Sequence, residues 1–331
     1  MDAQSFSRAY AGLVEDYPQL DALSDPGRFQ QSVELLSKQC PPGATVADIG
    51  AWPGGLSGCL KRLGWKVIAV DKNTARSMSW SQNGLLEQAR NRAGYQDSLE
   101  SFCAAEDIPV APCDIESEPL PFDSASLDAV IFTEVIEHLW HDPLFALGEI
   151  NRVLKPRGTL ILSTPNFTCL RHRLNFLRGR IDQVIEHPFV SFLKSKRLGH
   201  AGHVRLYALQ ELTGMLGVFG FSTHTDLFRY SDLRYLGPRV VSTSNGCGKM
   251  PAAPPQKAGR NGLARLGGKF VRSPRGYWSA LCATTLQIAE KLVPHFRPQV
   301  FITAIKERDA DFDKNYPEQV KALVLQNRIT N

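Results

Sequence analysis

A glycine-rich turn and two acids carry the first chemical signal. The string Val46-Ala-Asp48-Ile-Gly50-Ala-Trp-Pro-Gly54-Gly55 places glycines where an apolar run gives way to a helical one. Glycine there permits positive φ and lets a ligand lie close against the main chain. The N–H groups that open the following helix favour an anion or carboxylate. Asp71 closes the next apolar run, KVIAVD, 21 residues after Gly50. A carboxylate at that place accepts hydrogen bonds from both hydroxyls of a ribose. Asp114 closes a third run, with Ile115 behind it. The pair offers an acceptor for an adenine amino group and an apolar surface for its ring. Singly, each feature is ordinary: a glycine turn serves packing, and an acid after a strand caps a helix. As an ordered series at strand ends, they mark the edge where such sheets bind ligands.

A second constellation follows. Glu134, Glu137 and His138 stand at i, i+3 and i+4, which on a helix is one face. His200 and His203 lie in GHAGHVRLY, just before another helical stretch. Two carboxylates and two imidazoles form a shell for a divalent ion. Without an ion, His138 or His203 is a general base, since imidazole titrates near neutrality. The plainer reading is that acids in a first helical turn are stabilised by the helix dipole and that His138 only packs.

Strands alternating with helices must position these residues. Residues 1–43 are amphipathic and helical, broken at Pro18, at Asp25-Pro26-Gly27 and at Cys40-Pro41-Pro42-Gly43. Buried strands are predicted over 44–50, 66–71, 108–114, 127–133 and 159–163, and further strands over 221–228 and 299–305. Helices are predicted over 55–63, from Asp142-Pro143 to Leu154, over 206–216 and over 277–293. The series indicates βαβ units: an α/β, Rossmann-like, mostly parallel sheet of seven strands with helices on both faces. The expected organisation is a helical cap at 1–43 and a ligand-binding core at 44–230 with an insertion at 165–205. A mobile basic loop (242–276) and amphipathic helix within 231–298 follow, then the last core strand and a tail at 299–331.

Composition narrows the class. The chain has 331 residues, 43% hydrophobic and 21% charged, with net charge +5. That excludes wholesale disorder. No window of about 18 uncharged apolar residues is present, and the N-terminus lacks a basic segment followed by an apolar one. Seven cysteines, odd in number and never spaced C-x-x-C, argue against a disulfide framework or thiolate zinc site. A reducing, cytoplasmic compartment is expected. The positive charge is concentrated: Arg171–Arg205 carries eight Lys/Arg against Asp182 and Glu186, and Arg229–Arg275 carries ten against Asp232. Such segments attract an anionic partner or merely solvate a surface.

With these residues in view, the sequence resembles the class I S-adenosylmethionine-dependent methyltransferases from about 44 to 228, with a last strand near 299–306. The stretch CDIESEPLPFDSASLDAVIFTEVIEHLWHDPLFALGEINRVLKPRGTLILSTPNF is similar to the group containing the ubiquinone-biosynthesis O-methyltransferases. The resemblance implies that Asp48, Gly50 and Gly54 surround the methionine portion of the cofactor and that Asp71 holds its ribose. It implies that Asp114 and Ile115 hold adenine, and that Thr133 and Glu134 lie beneath the sulfonium. The usual G-x-G-x-G is here G-A-W-P-G-G, with Trp52 in place of the second glycine. The string E-V-I-E-H with a later His is similar to the small-RNA 3′-terminal 2′-O-methyltransferases, which implies Glu134, Glu137, His138 and His203 as metal ligands. D-x-G-x-x-P-G-G also looks like the heat-shock type ribosomal RNA 2′-O-methyltransferases. Their Lys–Asp–Lys–Glu set is missing, because no Asp ends the fourth strand. No hydride-transfer constellation supports a dehydrogenase.

The implied reaction is in-line displacement at a sulfonium carbon, with the protein orienting the acceptor and excluding water. Glu134, His138 and His203 favour an oxygen acceptor, whose proton must be removed. The foremost expectation is O-methylation of a small molecule or glycan. RNA 2′-O-methylation is the alternative, although no RNA-binding module is appended. A non-catalytic cofactor-binding partner protein is the third. The 277–293 stripe also allows peripheral membrane contact. Oligomeric state is left open by the sequence.

Overall fold

The computed structural model describes residues 3–75, 93–179, 202–228 and 298–310. The expected loop 242–276, the helix 277–293, His200 and much of the insertion at 165–205 lie outside the described residues.

Three helices open the chain: α1 (Ala3–Asp16), α2 (Gln19–Leu23) and α3 (Pro26–Gln39). Asp25 starts α3 by accepting a hydrogen bond from the Arg28 N–H, and Pro26 occupies the first turn, where its missing N–H is harmless. The strands are β1 (Thr45–Ile49), β2 (Lys66–Asp71), β3 (Val110–Pro112), β4 (Leu127–Thr133), β5 (Leu154–Pro165), β6 (Phe221–Phe228) and β7 (Gln299–Lys306). They form one seven-stranded sheet in the order β3-β2-β1-β4-β5-β7-β6. β7 runs antiparallel to both neighbours, and the remaining pairs are parallel. This is the Rossmann-like α/β architecture that the alternation predicts.

Helices α4 (Gly55–Arg62), α5 (Leu99–Ala105), α6 (Pro143–Val153), α7 (Leu170–Leu177) and α8 (Leu209–Val218) complete the described elements. Two apolar clusters cover the sheet. One gathers Leu13, Leu36, Leu60 and Phe102 from the first three helices, α4 and α5 against Val46, Ala69 and Ile131. The other gathers Leu147, Ile150, Leu212 and Leu216 from α6 and α8 against Val130, Leu160 and Ile302. A parallel strand covered on both faces needs apolar residues at successive positions, as Leu127–Thr133 shows.

The described structure corrects three expectations. β3 spans only Val110–Pro112, not 108–114, because Pro109 and Pro112 cannot donate to a ladder. β5 begins at Leu154 rather than 159, with a register shift against β4 where Arg157 takes φ 67. The third correction concerns Glu134. Glu134, Glu137 and His138 do not share a helical face. Glu134 has φ 58, and the only turn there is a 3₁₀ helix over Ile136–His138. The left-handed residue turns the chain between the two acids, so their side chains leave in different directions.

Chain reversal sets the functional edge. From β1 the connections run outward through β2 to β3, and the chain then returns to β4 on the other side of β1. Loops after β1 and β4 therefore diverge and open a crevice at the C-terminal ends of the strands.

Candidate active site

The two walls of the crevice meet at Gly50. It has φ 74, and a Cβ there would collide with Val135 Cγ2 in the loop after β4. Gly50 and Ala51 both donate backbone hydrogen bonds to Val70 O. Gly54, with φ 101, is the left-handed residue before α4, and a Cβ there would strike the Phe102 ring. These glycines thus serve close packing.

Asp71 ends β2 and braces the glycine turn. Its Oδ2 accepts a hydrogen bond from Trp52 N–H at 3.3 Å, and its Oδ1 accepts one from Asn73 N–H at 3.1 Å. Trp52, where a glycine was expected, thus contributes its main-chain N–H to this contact, and its half-buried ring packs on the N-terminal helices' cluster. Asp114 lies on the same rim: β2 pairs with β3 at Asp71–Pro112, and Cys113 N–H donates to Asp71 O. Asp114 Oδ1 accepts from Glu116 N–H, closing a turn, while Ile115 is buried in the core beneath it. Thr133, also buried, ends β4 between these walls.

Asp48 faces inward. It is 3% exposed and accepts a 2.6 Å hydrogen bond from Ser57 Oγ in α4. Burial raises its pKa to about 6, reinforced by Asp71 and opposed by the Ser57 hydrogen bond and the Arg28 charge. The raised value fixes the sign of a pH effect. The folded protein holds the Asp48 proton more tightly than the unfolded chain, so the penalty for ionising it accumulates as pH rises from about 4 to about 6. Asp48→Asn keeps an acceptor for Ser57 and removes that penalty. We expect the ligand-free variant to be more stable than wild type by about 3 kcal/mol at pH 7.5, with the difference vanishing near pH 4. Urea denaturation at both pH values measures it. An equal difference at the two values contradicts the assignment.

Glu134 and Glu137 have different hydrogen-bond partners. Glu134 accepts hydrogen bonds from Ser163 Oγ at 3.0 Å and from Gln299 Nε2, and Arg28 Nη1 stands 3.8 Å from its Oε2. Burial raises its pKa, with the Arg28 charge the largest opposing influence. Glu137 is fully buried. Its Oε2 accepts from Thr164 Oγ1 at 2.9 Å, and its Oε1 has no hydrogen-bond partner. Burial, and then the neighbouring Glu134 charge, push its pKa well upward.

The loop before α8 is stapled onto this turn. Val204 N–H and Arg205 N–H both donate to the Glu137 carbonyl, at 2.7 and 3.3 Å. His138 Nδ1 lies 2.6 Å from Gly202 O. A carbonyl only accepts, so Nδ1 carries the proton and Nε2 is the basic nitrogen. The His138 and His203 rings meet edge to face with centroids 4.9 Å apart. One ligand atom from each of Glu137, His138 and His203 falls within 4.8 Å of the others. Glu134 is not part of that group, because its carboxylate is turned toward Ser163, Gln299 and Arg28.

A profile for a methyltransferase domain matches residues 47–162, the segment from β1 to β5. Across 214 residues the chain is 31% identical to the ubiquinone biosynthesis O-methyltransferase of Xanthomonas campestris pv. campestris, covering 62% of this chain and 82% of that protein. The chain belongs to the class I S-adenosylmethionine-dependent methyltransferases. It is also 29% identical over 174 residues to an uncharacterized 37.1 kDa protein in a transposon of Streptomyces fradiae, spanning 44% of that protein. Among solved structures, a SAM-dependent methyltransferase from Archaeoglobus fulgidus aligns over 87% of this chain and 97% of that one, at 16% identity and a TM-score of 0.45. As in any methyltransferase of this class, the donor is S-adenosylmethionine, and the crevice between the β1 and β4 loops is the ligand edge of the sheet.

The structure adds groups to the methyltransferase crevice that motif reading passed over. Arg28 comes from α3, Ser163 and Thr164 from β5, and Gln299 from the start of β7. Ser24, between α2 and α3, sits against the opening of α4: a Cβ on Gly55 would lie 2.5 Å from Ser24 Oγ. Ser24 Oγ and Arg28 Nε are buried without a hydrogen-bond partner. The Asp25-Pro26-Gly27 break was the available signal, since a capped helix start there aims its first turn at the sheet rim. No helix among the described residues is long and apolar enough to cross a membrane.

Proposed function

We propose that this methyltransferase O-methylates a small-molecule or glycan hydroxyl, with the acceptor seated between Glu137, His138 and His203 and the sulfonium beside Gly50. The observation that carries the reading is the Glu137–His138–His203 group on the loops that border the crevice. The similarity to a ubiquinone biosynthesis O-methyltransferase supports an oxygen acceptor.

In this reading Asp71 binds the two ribose hydroxyls and Asp114 the adenine amino group. Arg28, Ser24 and the opening N–H groups of α4 receive the methionine carboxylate, which satisfies polar atoms otherwise stranded in the interior. Glu134 and Thr133 lie under the sulfonium. Two buried acids, Asp48 and Glu137, and the partly buried Glu134 surround a region where Arg28 is the one nearby cation among the described residues, so a positively charged ligand is favoured there.

The acceptor oxygen attacks the sulfonium methyl carbon in line. A C–O bond forms as the C–S bond breaks, and the sulfur leaves as a neutral thioether. The hydroxyl proton passes to an imidazole, for which His138 Nε2 is oriented by the Nδ1–Gly202 bond. The same group suits a divalent ion. Glu137 Oε1 is a buried carboxylate oxygen without a hydrogen-bond partner, and His138 donates its other N–H to a carbonyl, as metal-binding imidazoles do. Glu137, His138 and His203 would hold the ion, whose charge lowers the pKa of a bound hydroxyl.

Transfer of tritium from labelled S-adenosylmethionine into fractions of a cell extract tests the acceptor class. Label in a base-stable small-molecule or glycan fraction is expected. Label confined to RNA, with ribonuclease releasing it as 2′-O-methyl nucleosides, replaces this reading with RNA 2′-O-methylation. No label in any fraction, despite calorimetric cofactor binding, replaces it with a cofactor-binding partner role.

A further inference from the structure

An acid outside the reacting group, Glu116, ties the turn after β3 to the loop after β4. Its Oε1 accepts a hydrogen bond from the His141 N–H at 2.6 Å. The Glu116 side chain is only 9% exposed, whereas the His141 imidazole is 76% exposed, so the contact is made by the main chain of His141. β2 and β1 stand between β3 and β4 in the sheet, so no strand pairing joins the two segments. A short bond from a main-chain N–H to a carboxylate is charge-assisted. Asp142, the next residue, opens α6 by accepting from the Leu144 and Phe145 N–H groups. Glu116 therefore meets the start of that helix, where negative charge is favoured.

The main chain of Glu116 acts on Asp114. Glu116 N–H donates to Asp114 Oδ1 at 3.2 Å, and Asp114 N–H donates to Glu118 Oε2 at 3.0 Å. The turn thus fixes one carboxylate oxygen of Asp114 and leaves Oδ2 for a ligand. At the far side, His141 lies three residues past His138, which closes the 3₁₀ turn Ile136–His138. A continuous series of contacts runs from Asp114 through Glu116 and His141 to His138.

We propose that Glu116 is a positioning residue that couples adenine binding to the placement of the His138 turn. The inference rests on the reading in which Asp114 receives the adenine amino group. Adenine seated on Asp114 Oδ2 holds the turn that aims Glu116 at His141. By linkage, a fixed His141 loop favours adenine to the same degree. Glu116 touches neither cofactor nor acceptor, and the inference does not depend on which acceptor is methylated. Fastening the crossing segment to α6 does not require Glu116. Further along, Leu120 N–H donates to Glu149 Oε2, and Arg152 Nη2 donates to Leu120 O. The segment therefore keeps its path when the Glu116 carboxylate is removed, and what is lost is the link between the two ends of the crevice.

Fluorescence of the full chain tests it. Trp140 directly precedes His141 and is 62% exposed, so the part of the emission change that Trp140→Phe lacks reports the loop. In wild type, S-adenosylhomocysteine and adenosine should both shift that emission. Purine riboside, which lacks the 6-amino group, should not. Glu116→Ala should bind S-adenosylhomocysteine about tenfold more weakly and lose the Trp140 response. Glu116→Gln keeps an acceptor oxygen for the His141 N–H and should restore both. A merely structural staple would lower the melting temperature and leave the contrast between adenosine and purine riboside intact. Two results overturn the coupling: Glu116→Ala with wild-type affinity and response, or Glu116→Gln as impaired as Glu116→Ala. Asp114→Ala that binds S-adenosylhomocysteine like wild type instead removes the adenine reading, and the coupling with it. If Glu116→Ala does not fold, hydrogen exchange of the His141 amide in wild type reads the same bond. Adenosine should slow that exchange and purine riboside should not; equal exchange with both overturns the inference.

Discussion

Asp71→Ala should weaken S-adenosylmethionine binding by about a hundredfold in calorimetric titration. The magnitude follows from the two charge-assisted hydrogen bonds that the proposed function gives Asp71 to the ribose, each worth about 1.5 kcal/mol or more. Asp71 also holds the Trp52 and Asn73 N–H groups, so the alanine variant should loosen the glycine turn as well as lose the proposed ribose contacts. Asp71→Asn separates the two effects. The amide oxygen still accepts from Trp52, but the uncharged group binds a diol less strongly, so an intermediate loss is expected. An alanine variant that titrates like wild type removes the cofactor pocket from this rim altogether.

Glu137→Gln should lower turnover by about a thousandfold while leaving the protein folded, the size expected when a group that stabilises charge at the reacting oxygen is lost. The amide keeps an acceptor for Thr164 Oγ1 and fills the same volume. It also removes an acid whose ionisation burial opposes, so the ligand-free variant should resist urea as well as wild type does or better. A more stable yet inactive variant is the signature of a functional acid; a structural one would show the opposite. Calorimetry with magnesium or manganese reads the ion directly, and Glu137→Gln and His203→Ala should each abolish the heat. If exhaustively chelated protein retains full turnover, the ion is dispensable and His138 or His203 acts alone as base. If Glu137→Gln retains it too, Glu137 has no catalytic part.

Some of the fold is local and was therefore legible. Apolar runs at 45–49, 66–71 and 127–133 could only be strands buried on both faces, and the acids ending them fall on one edge because parallel strands share a direction. β3 is shorter than the run 108–114 that carries it, since two prolines leave few N–H groups for pairing. The face assigned to Glu134 failed for a different reason. Spacing of three and four implies a common face only if the backbone is helical throughout, and one residue at φ 58 breaks that condition.

By itself the sequence determined the alternation of strands and helices, the glycine turn, the acids that follow each strand and the proximity of Glu137 to His138. These are set by side-chain periodicity and backbone preference over a few residues. Only the tertiary structure decided that Glu134 and Glu137 part company, that Arg28, Ser163 and Gln299 converge on the first, and that His203 meets the second across 66 residues of chain. Contacts between distant segments are fixed by how the layers pack and which polar groups that packing buries. Neither is written in the spacing of neighbouring residues.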